Sequence, residues 1–268
     1  MRLPIAIQLY SLRDDMEKDM PKTLRAVRDM GYDGVEFAGL FGRESEEVRR
    51  MCDELSLVPV SAHVPFADME QDPEGVAEIY HRLGCRQLVI PYLDSVYLPG
   101  NEKYGDLQKG ARAVAAAAKK RGMVLCYHNH DFEFARLNGK YKLDILYTDL
   151  PAEILQTQID TCWAKVAGEN PAEYLRRYAG RCPTVHLKDF AGEKSEHMYS
   201  LIGKEKDAQA RNAFEFRPCG YGRQDMPTLV RSCEECGAEW LIVEQDNPGL
   251  GKTAMECAEM SVKYLRSF

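Results

Sequence analysis

The stretch YGDLQKGARAVAAAAKKRGMVLCYHNH (104–130) contains one complete helix-to-strand unit. Its alanine-rich part, residues 104–122, predicts a helix that Gly122 closes, because glycine readily adopts the left-handed conformation found at helix ends. The run MVLCYHNH (123–130) follows without a linker, and its short apolar core predicts a buried strand. The same alternation of helix and strand continues in both directions along the chain.

The alternation predicts eight strands, over residues 5–10, 33–38, 58–64, 86–92, 123–130, 153–160, 183–188 and 239–246. Each precedes a predicted helix, over residues 18–31, 44–55, 73–84, 104–122, 142–149, 171–179, 226–237 and 253–266. Strict alternation implies parallel strands joined by right-handed crossovers, and eight units in 268 residues favour a closed barrel. We therefore predict an α/β fold, a single-domain (β/α)8 TIM barrel over residues 1–268. No GxGxxG motif follows the first strand, which argues against a dinucleotide-binding fold.

Composition excludes several classes of protein. A net charge of -7 disfavours a nucleic-acid partner, because binding to the phosphate backbone needs clustered lysine and arginine. No apolar run approaches the roughly 20 residues that cross a bilayer. Nine scattered cysteines and no recognisable signal peptide predict reduced thiols in the cytoplasm. Cys233 and Cys236 form a CxxC in a helical-looking segment, which we interpret as two thiols on one helix.

Polar side chains gather where strands end, although a packed barrel would favour valine or isoleucine there. In a barrel of this kind, functional residues lie at the carboxyl ends of the strands. The candidates are Glu36, His63, His128, His130, Asp160, His186, Lys188, Glu244 and Asp246. Burying so many titratable groups is costly unless something offsets their charge, and a divalent cation neutralises carboxylates and binds neutral imidazole. The pattern therefore predicts a metal site at the barrel mouth.

Several motifs resemble the xylose-isomerase-like TIM-barrel superfamily of sugar (phosphate) isomerases and epimerases. They are QLYSLRDD (8–15), GYDGVEFAG (31–39), YHNHDFEF (127–134), QIDTCW (158–163), AGENPAEYLRRYAGR (167–181), VHLKDF (185–190) and VEQD (243–246). They look closest to the subgroup that includes 3-oxo-glycoside lyases and epimerases and inosose dehydratase. The resemblance implies one divalent ion held by Glu133, Asp160, His186 and Glu244. Such oxygen-rich ligands suit Mn²⁺ or Mg²⁺, with Zn²⁺ and Co²⁺ also possible.

The resemblance also implies an enzyme that acts on a small carbohydrate. The expected reaction is isomerisation or epimerisation, in which a proton α to the carbonyl of a ketose or oxo-sugar leaves through a metal-stabilised enediolate. The alternative is a lyase that cleaves a 3-oxo-glycoside or dehydrates an inosose by β-elimination. The expected catalytic residues are Glu133, Glu244, His130 and Lys188. The expected substrate contacts are Glu36, His63, His128 and Trp163.

Other interpretations stay open at this point. Lys188 could instead form a salt bridge with Asp189 or Glu36, and Trp163 could be simple rim packing. Endonuclease IV is disfavoured by the negative charge and by only six histidines. Xylose isomerase needs a second metal, for which Glu193, Glu196 and His197 offer no firm pattern. A non-catalytic carbohydrate-binding barrel within a heteromer is a further class, and a homo-oligomer is possible.

Overall fold

The computed structural model describes residues 3–194 and 214–268. Eight strands form a closed barrel: β1 (Ile5–Gln8), β2 (Gly34–Ala38), β3 (Val58–His63), β4 (Gln87–Ile90), β5 (Val124–His128), β6 (Gln156–Asp160), β7 (Thr184–Leu187) and β8 (Trp240–Val243). Every strand pairs in parallel with its neighbours, and β1 pairs with both β2 and β8. The predicted (β/α)8 barrel is therefore confirmed.

Helices follow the strands and surround the barrel. They are α1 (Arg13–Met30), α2 (Ser45–Leu55), α3 (Phe66–Gln71), α4 (Pro73–Leu83), α5 (Tyr104–Lys119), α6 (Lys142–Asp149), α7 (Thr161–Val166), α8 (Pro171–Arg177), α9 (Met226–Glu235) and α10 (Ala254–Leu265). The sequence did not predict α3 or α7, which are both six residues long and carry too few turns for a periodic pattern. Two short antiparallel pairs, Arg136–Leu137 with Lys140–Tyr141 and Asp189–Ala191 with Glu215–Arg217, lie outside the barrel.

Most strands end earlier than the sequence predicted. β5 ends at His128 rather than residue 130, and β8 ends at Val243 rather than residue 246. The residues beyond these ends have sequences typical of strands, but they do not pair in the sheet, because the chain turns there toward the next helix. His130, Glu244 and Asp246 consequently belong to the loops at the mouth, although all three are buried.

The barrel interior changes from apolar to polar along its axis. Ala6, Val60 and Ile242 pack together at one level. Thr184 and Gln87 also meet inside the barrel, where the Thr184 hydroxyl donates to Gln87 Oε1 at 2.9 Å. The level nearest the mouth carries carboxylates and imidazoles. This gradient places the titratable groups of the barrel at the ends of the strands, where they lie close to solvent.

Two predictions made from composition have structural counterparts. All nine cysteines are buried free thiols, including Cys233 and Cys236 on and just after α9. Among the residues that the structure describes, no helix is both long and apolar enough to cross a membrane.

Candidate metal centre and active site

Four side chains from three strands and one strand end converge at the mouth of the barrel. They are His128 of β5, Asp160 of β6, His186 of β7 and Glu244 just after β8. One ligand atom from each lies within 4.8 Å of the others, and all four residues are buried. We call this set the four-residue group. Three of its members, Asp160, His186 and Glu244, are among the metal ligands implied by the sequence resemblance.

The two carboxylate oxygens of Asp160 have different roles: one caps a helix, and the other faces the four-residue group. Oδ1 accepts a hydrogen bond from the backbone N–H of Trp163 at 2.8 Å and so caps α7. The backbone N–H of Asp160 is itself fixed by Asn129 Oδ1 at 3.0 Å. Oδ2 is buried and accepts no hydrogen bond within the described part of the chain. The residue therefore holds one oxygen rigidly toward the centre with no protein donor on it.

His186 lies between two carboxylates. Its Nε2 is 2.7 Å from Glu36 Oε1, and its Nδ1 is 3.0 Å from Glu244 Oε2. Burial alone would lower the pKa of His186, but the charges of Glu36 and Glu244 outweigh it and raise the pKa to about 10. Without a metal, the ring is thus an imidazolium that donates to both carboxylates.

Glu36 is an anchor beneath the centre rather than a wall of the cavity. It is fully buried, and a β-bulge between Val35 and Glu36 brings it opposite Ser61, whose hydroxyl donates to Oε2 at 2.6 Å. Gln8 Nε2 donates to Oε1 at 2.7 Å. Burial opposes its charge, but His63 and His186 hold the pKa of Glu36 well below its usual range. The sequence-based expectation of a substrate contact is therefore not matched by its position.

Gln158 orders the histidines around Glu36. Its Nε2 donates to Glu36 Oε2 at 2.6 Å and to Thr184 Oγ1 at 3.0 Å. Its Oε1 lies 2.8 Å from His63 Nε2 and 3.2 Å from His128 Nδ1. When Nδ1 of His128 donates to this oxygen, the lone pair of Nε2 is left facing the four-residue group.

His128 is suited to be a ligand because it is neutral. Burial, reinforced by the nearby charge of His186, holds the pKa of His128 well below its usual range. Its Nε2 is 3.8 Å from Asp160 Oδ2. The sequence resemblance implied that His128 contacts the substrate, whereas the structure places it in the four-residue group.

Glu133, the fourth ligand implied by the resemblance, lies outside the group. Its Oε1 accepts a hydrogen bond from the Tyr127 hydroxyl at 2.5 Å, and its Oε2 accepts one from the backbone N–H of His130 at 2.9 Å. Tyr127 alternates with Cys126 and His128 along β5, so its ring lies on the outer side of the barrel. A short 3-10 turn over Phe132–Phe134 carries Glu133 toward that ring. Burial raises the pKa of Glu133 to about 8, although the Tyr127 hydroxyl lowers it in part.

Lys188 is a buried cation beside the group, and its partners differ from Asp189 and Glu36, the salt-bridge partners considered from the sequence. Its Nζ is 2.9 Å from Glu244 Oε2, 2.8 Å from Asp246 Oδ2 and 3.6 Å from Asp160 Oδ2. Burial opposes its charge, yet the three carboxylates raise the pKa of Lys188 well above its ordinary value. Lys188 is therefore an ammonium ion that holds these carboxylates in place.

A cavity of about 630 Å³ opens above this centre. His63, His128, His130, Lys188, Glu244 and Asp246 line one part of it. His130 stacks on Phe132, with ring centroids 5.4 Å apart, and meets Tyr92 edge-on at 5.6 Å. Trp163, expected at the rim, is instead fully buried against Phe216 and lies 5.3 Å from the His130 ring.

The donor set fits a divalent metal. Two imidazoles and two carboxylates are ordinary ligands for such ions, and Asp160 Oδ2 accepts no hydrogen bond from any residue that the structure describes. Four buried carboxylates, those of Glu36, Asp160, Glu244 and Asp246, face two cations, Lys188 and the His186 imidazolium, so negative charge is in excess there. A dication at the four-residue group would offset that excess.

The second-metal ligands considered for xylose isomerase receive no support. Glu193 pairs with Arg223 and is mostly exposed. Glu196 and His197 lie outside the described residues.

The sequence analysis named Asp246 as a polar strand-end residue but gave it no role, and it gave no role at the site to Gln158 or Asp189. Gln158 and Asp246 share the inward parity of Asp160 and Glu244, which indicates that they face the barrel interior but does not distinguish a ligand from a residue that holds one in place. Asp189 follows Lys188 directly, but it faces away. Its Oδ1 accepts from the backbone N–H of Phe190 and Gln224, and its Oδ2 from those of Gly220 and Gly222.

Comparisons with known proteins identify the family of this chain. The family model for xylose isomerase-like TIM barrels matches residues 24–268. Inosose dehydratase from Clostridium beijerinckii is 22% identical over 271 residues, covering 90% of this chain and 88% of that protein. Inosose dehydratase from Clostridium tetani is 27% identical over 259 residues, covering 88% and 85%. A solved sugar phosphate isomerase/epimerase from Parabacteroides distasonis superposes with a TM-score of 0.79 at 21% identity, covering 100% of this chain and 94% of that one. The chain belongs to the xylose isomerase-like TIM barrel family of enzymes.

Proposed function

We propose that the protein is a divalent-metal-dependent enzyme that removes the proton α to the carbonyl of an oxo-sugar and expels a β-substituent. The observation that carries the proposal is the four-residue group at the floor of a cavity, with His130 on the cavity wall. We propose His128, Asp160, His186 and Glu244 as the ligands. When bound, the ion supplies Lewis-acid stabilisation of the negative charge that develops on the carbonyl oxygen.

His130 is the proposed base. It lines the cavity, and its ring is held between Phe132 and Trp163 while Glu133 fixes its backbone N–H. A base must come within about 3 Å of the proton that it takes, which the cavity wall permits. Lys188, an ammonium ion beside the same cavity, stabilises oxyanion character in the substrate.

The reaction balances without an oxidant or reductant. The C–H bond next to the carbonyl breaks, His130 takes the proton, and the electron pair forms an enolate. That pair then forms a C=C bond to the β-carbon as the C–O bond there breaks. The departing oxygen takes a proton, which balances the one that His130 took and later releases, and leaves as water from an inosose or as an alcohol from a 3-oxo-glycoside.

Elimination is favoured over epimerisation by the position of Glu133. An epimerase returns a proton to the opposite face of the carbon, for which a Glu133–Glu244 pair would serve. Glu133 is instead directed to Tyr127, on the outer side of the barrel. The likeness to curated inosose dehydratases supports the same choice. Epimerisation is the second candidate, and the fold similarity to a sugar phosphate isomerase/epimerase is what favours it.

Proton exchange tests the proposal. The metal-loaded protein is incubated in D₂O with inososes, 3-oxo-glucosides and free ketoses, and solvent exchange and product formation are followed by NMR. We expect loss of the α-proton signal with release of water or alcohol, and no reaction after chelation. His130→Ala should lose most turnover yet keep its metal, whereas His81→Ala, an exposed histidine on α4, should match the unaltered protein.

The outcomes separate the candidates. Exchange that inverts a carbon without release of a substituent would support epimerisation. A full rate in His130→Ala would remove that residue from the mechanism. No exchange with any oxo-sugar, together with no retained metal, would favour the non-catalytic barrel.

A further inference from the structure

The cavity has two chemically different halves. The wall that follows β5–β8 is polar and carries His128, His130, Lys188, Glu244 and Asp246. The wall that follows β1–β4 is largely apolar and aromatic, and it carries Tyr10, Ala38, Val64, Pro65, Pro91 and Tyr92. Its charged and imidazole side chains are Asp68 and His63, and His63 is directed to Glu36 and Gln158 at the centre. We propose that this apolar half is a subsite for the apolar aglycone of an unphosphorylated oxo-glycoside. The inference rests on the proposed function, because it places the reacting sugar over the polar half.

The size of the cavity supports a substrate with two parts. At about 630 Å³ it lies in the range of pockets that enclose ligands larger than one sugar ring. The centre occupies only one side, so a sugar placed over it leaves the apolar wall to a second group. Tyr10 and Tyr92 are partly exposed there, and each offers a ring to that group.

The charges around the cavity argue against a phosphate. Its described lining contains the carboxylates of Asp68, Glu244 and Asp246 and the ammonium of Lys188. That ammonium is already within 3 Å of two carboxylates, at 2.9 Å from Glu244 and 2.8 Å from Asp246. Away from the metal centre, a phosphate would meet the carboxylate of Asp68 with no further lysine or arginine in the described lining to pair with it. An uncharged aglycone meets no such repulsion.

Calorimetry on the full-length, metal-loaded protein tests the subsite with unreactive probes. Phenyl β-D-glucoside, methyl β-D-glucoside and glucose 6-phosphate are titrated separately. Burying a phenyl ring instead of a methyl group should give phenyl glucoside roughly a 10- to 100-fold lower Kd. Glucose 6-phosphate should bind no more tightly than the methyl glucoside.

Variants test which residues make phenyl glucoside bind more tightly than methyl glucoside. Tyr92→Ala should raise the Kd for phenyl glucoside about tenfold and change that for methyl glucoside less than twofold. Tyr221→Ala, an exposed tyrosine outside the cavity lining, is the matched control and should change neither. Pro65→Asp provides a second probe that the fold tolerates, because Pro65 is exposed and precedes α3, where aspartate is a favourable cap. It should also weaken only phenyl glucoside.

Equal Kd values for the two glucosides, tightest binding by glucose 6-phosphate, or no binding of either glucoside would each overturn the subsite. Failure of the proposed reaction gives a different result. In that case phenyl glucoside would still bind more tightly than methyl glucoside, while no oxo-sugar would exchange its α-proton.

Discussion

Glu133 has an environment that favours the neutral acid. It is fully buried, pairs with no lysine or arginine of the described residues, and its pKa is raised to about 8, against about 4.3 in an unfolded chain. Its contribution to stability is therefore fully present below about pH 4.3 and is lost as the pH rises to about 8. Glutamine reproduces the protonated form, since its oxygen can accept from His130 N–H while its amide donates to the Tyr127 hydroxyl.

We expect the difference in free energy of unfolding, Glu133→Gln minus the unaltered protein, to increase as the pH rises from about 4.3 to 8. The gain should be on the order of 1 kcal/mol per pH unit and level off above pH 8. Urea denaturation of metal-free samples at pH 5, 7 and 9 measures it. A difference that stays constant over this range would show that the carboxyl is not titrating in the folded state.

The raised pKa of His186 predicts how metal affinity depends on pH. Its pKa is raised to about 10 by Glu36 and Glu244 despite burial, and a metal ligand must first give up the proton on the coordinating nitrogen. The apparent affinity should therefore rise by up to about tenfold per pH unit between pH 6 and 9. Competition with a chelator of known pH dependence measures this. A flat profile would mean that His186 binds no proton that the metal displaces.

Asp189 shows how an element beyond the barrel is fixed. Its carboxylate accepts four backbone N–H groups and so joins the end of β7 to residues 220–224. Gly222 allows this approach, because a Cβ there would lie 2.3 Å from Asp189 Oδ1 and 2.4 Å from the Phe190 carbonyl oxygen. The segment over residues 220–224 therefore packs directly beside Lys188.

We expect Asp189→Ala to lose roughly 3–5 kcal/mol in free energy of unfolding, because four buried or partly buried donors lose their acceptor. Asp225→Ala, which removes an exposed cap of α9, is the matched control and should lose only about 1 kcal/mol. Thermal and urea denaturation compare the two variants. Equal losses would show that the four hydrogen bonds are replaced by water at little cost.

The elements were predictable to different degrees. Strand order and closure followed from the alternation of apolar runs and helices, a pattern repeated over the whole chain. The short helices α3 and α7 were missed, and so was the 3-10 turn over Phe132–Phe134, since three to six residues carry no readable period. That turn decides the placement of Glu133. Its exclusion from the four-residue group could therefore not be predicted from YHNHDFEF alone.

At the scale of the whole molecule, barrel closure brings together residues far apart in the chain. Glu36 and His186 are separated by 150 positions, yet their side chains are 2.7 Å apart. Inward parity at strand ends was sufficient to predict that Asp160, His186 and Glu244 would be candidates. Parity could not distinguish a position beneath the four-residue group, where Glu36 lies, from one on the cavity wall, where His130 lies. That distinction depends on strand stagger and on the bulge in β2.

The central claim is that His128, Asp160, His186 and Glu244, and not Glu133, hold one divalent ion. Metal content per chain, measured by mass spectrometry after gel filtration, tests it most directly on Asp160→Asn and Glu133→Gln. We expect about one equivalent in the unaltered protein and in Glu133→Gln, and little in Asp160→Asn, because of these two residues Asp160 alone belongs to the four-residue group. Loss of metal in Glu133→Gln with retention in Asp160→Asn would contradict the account.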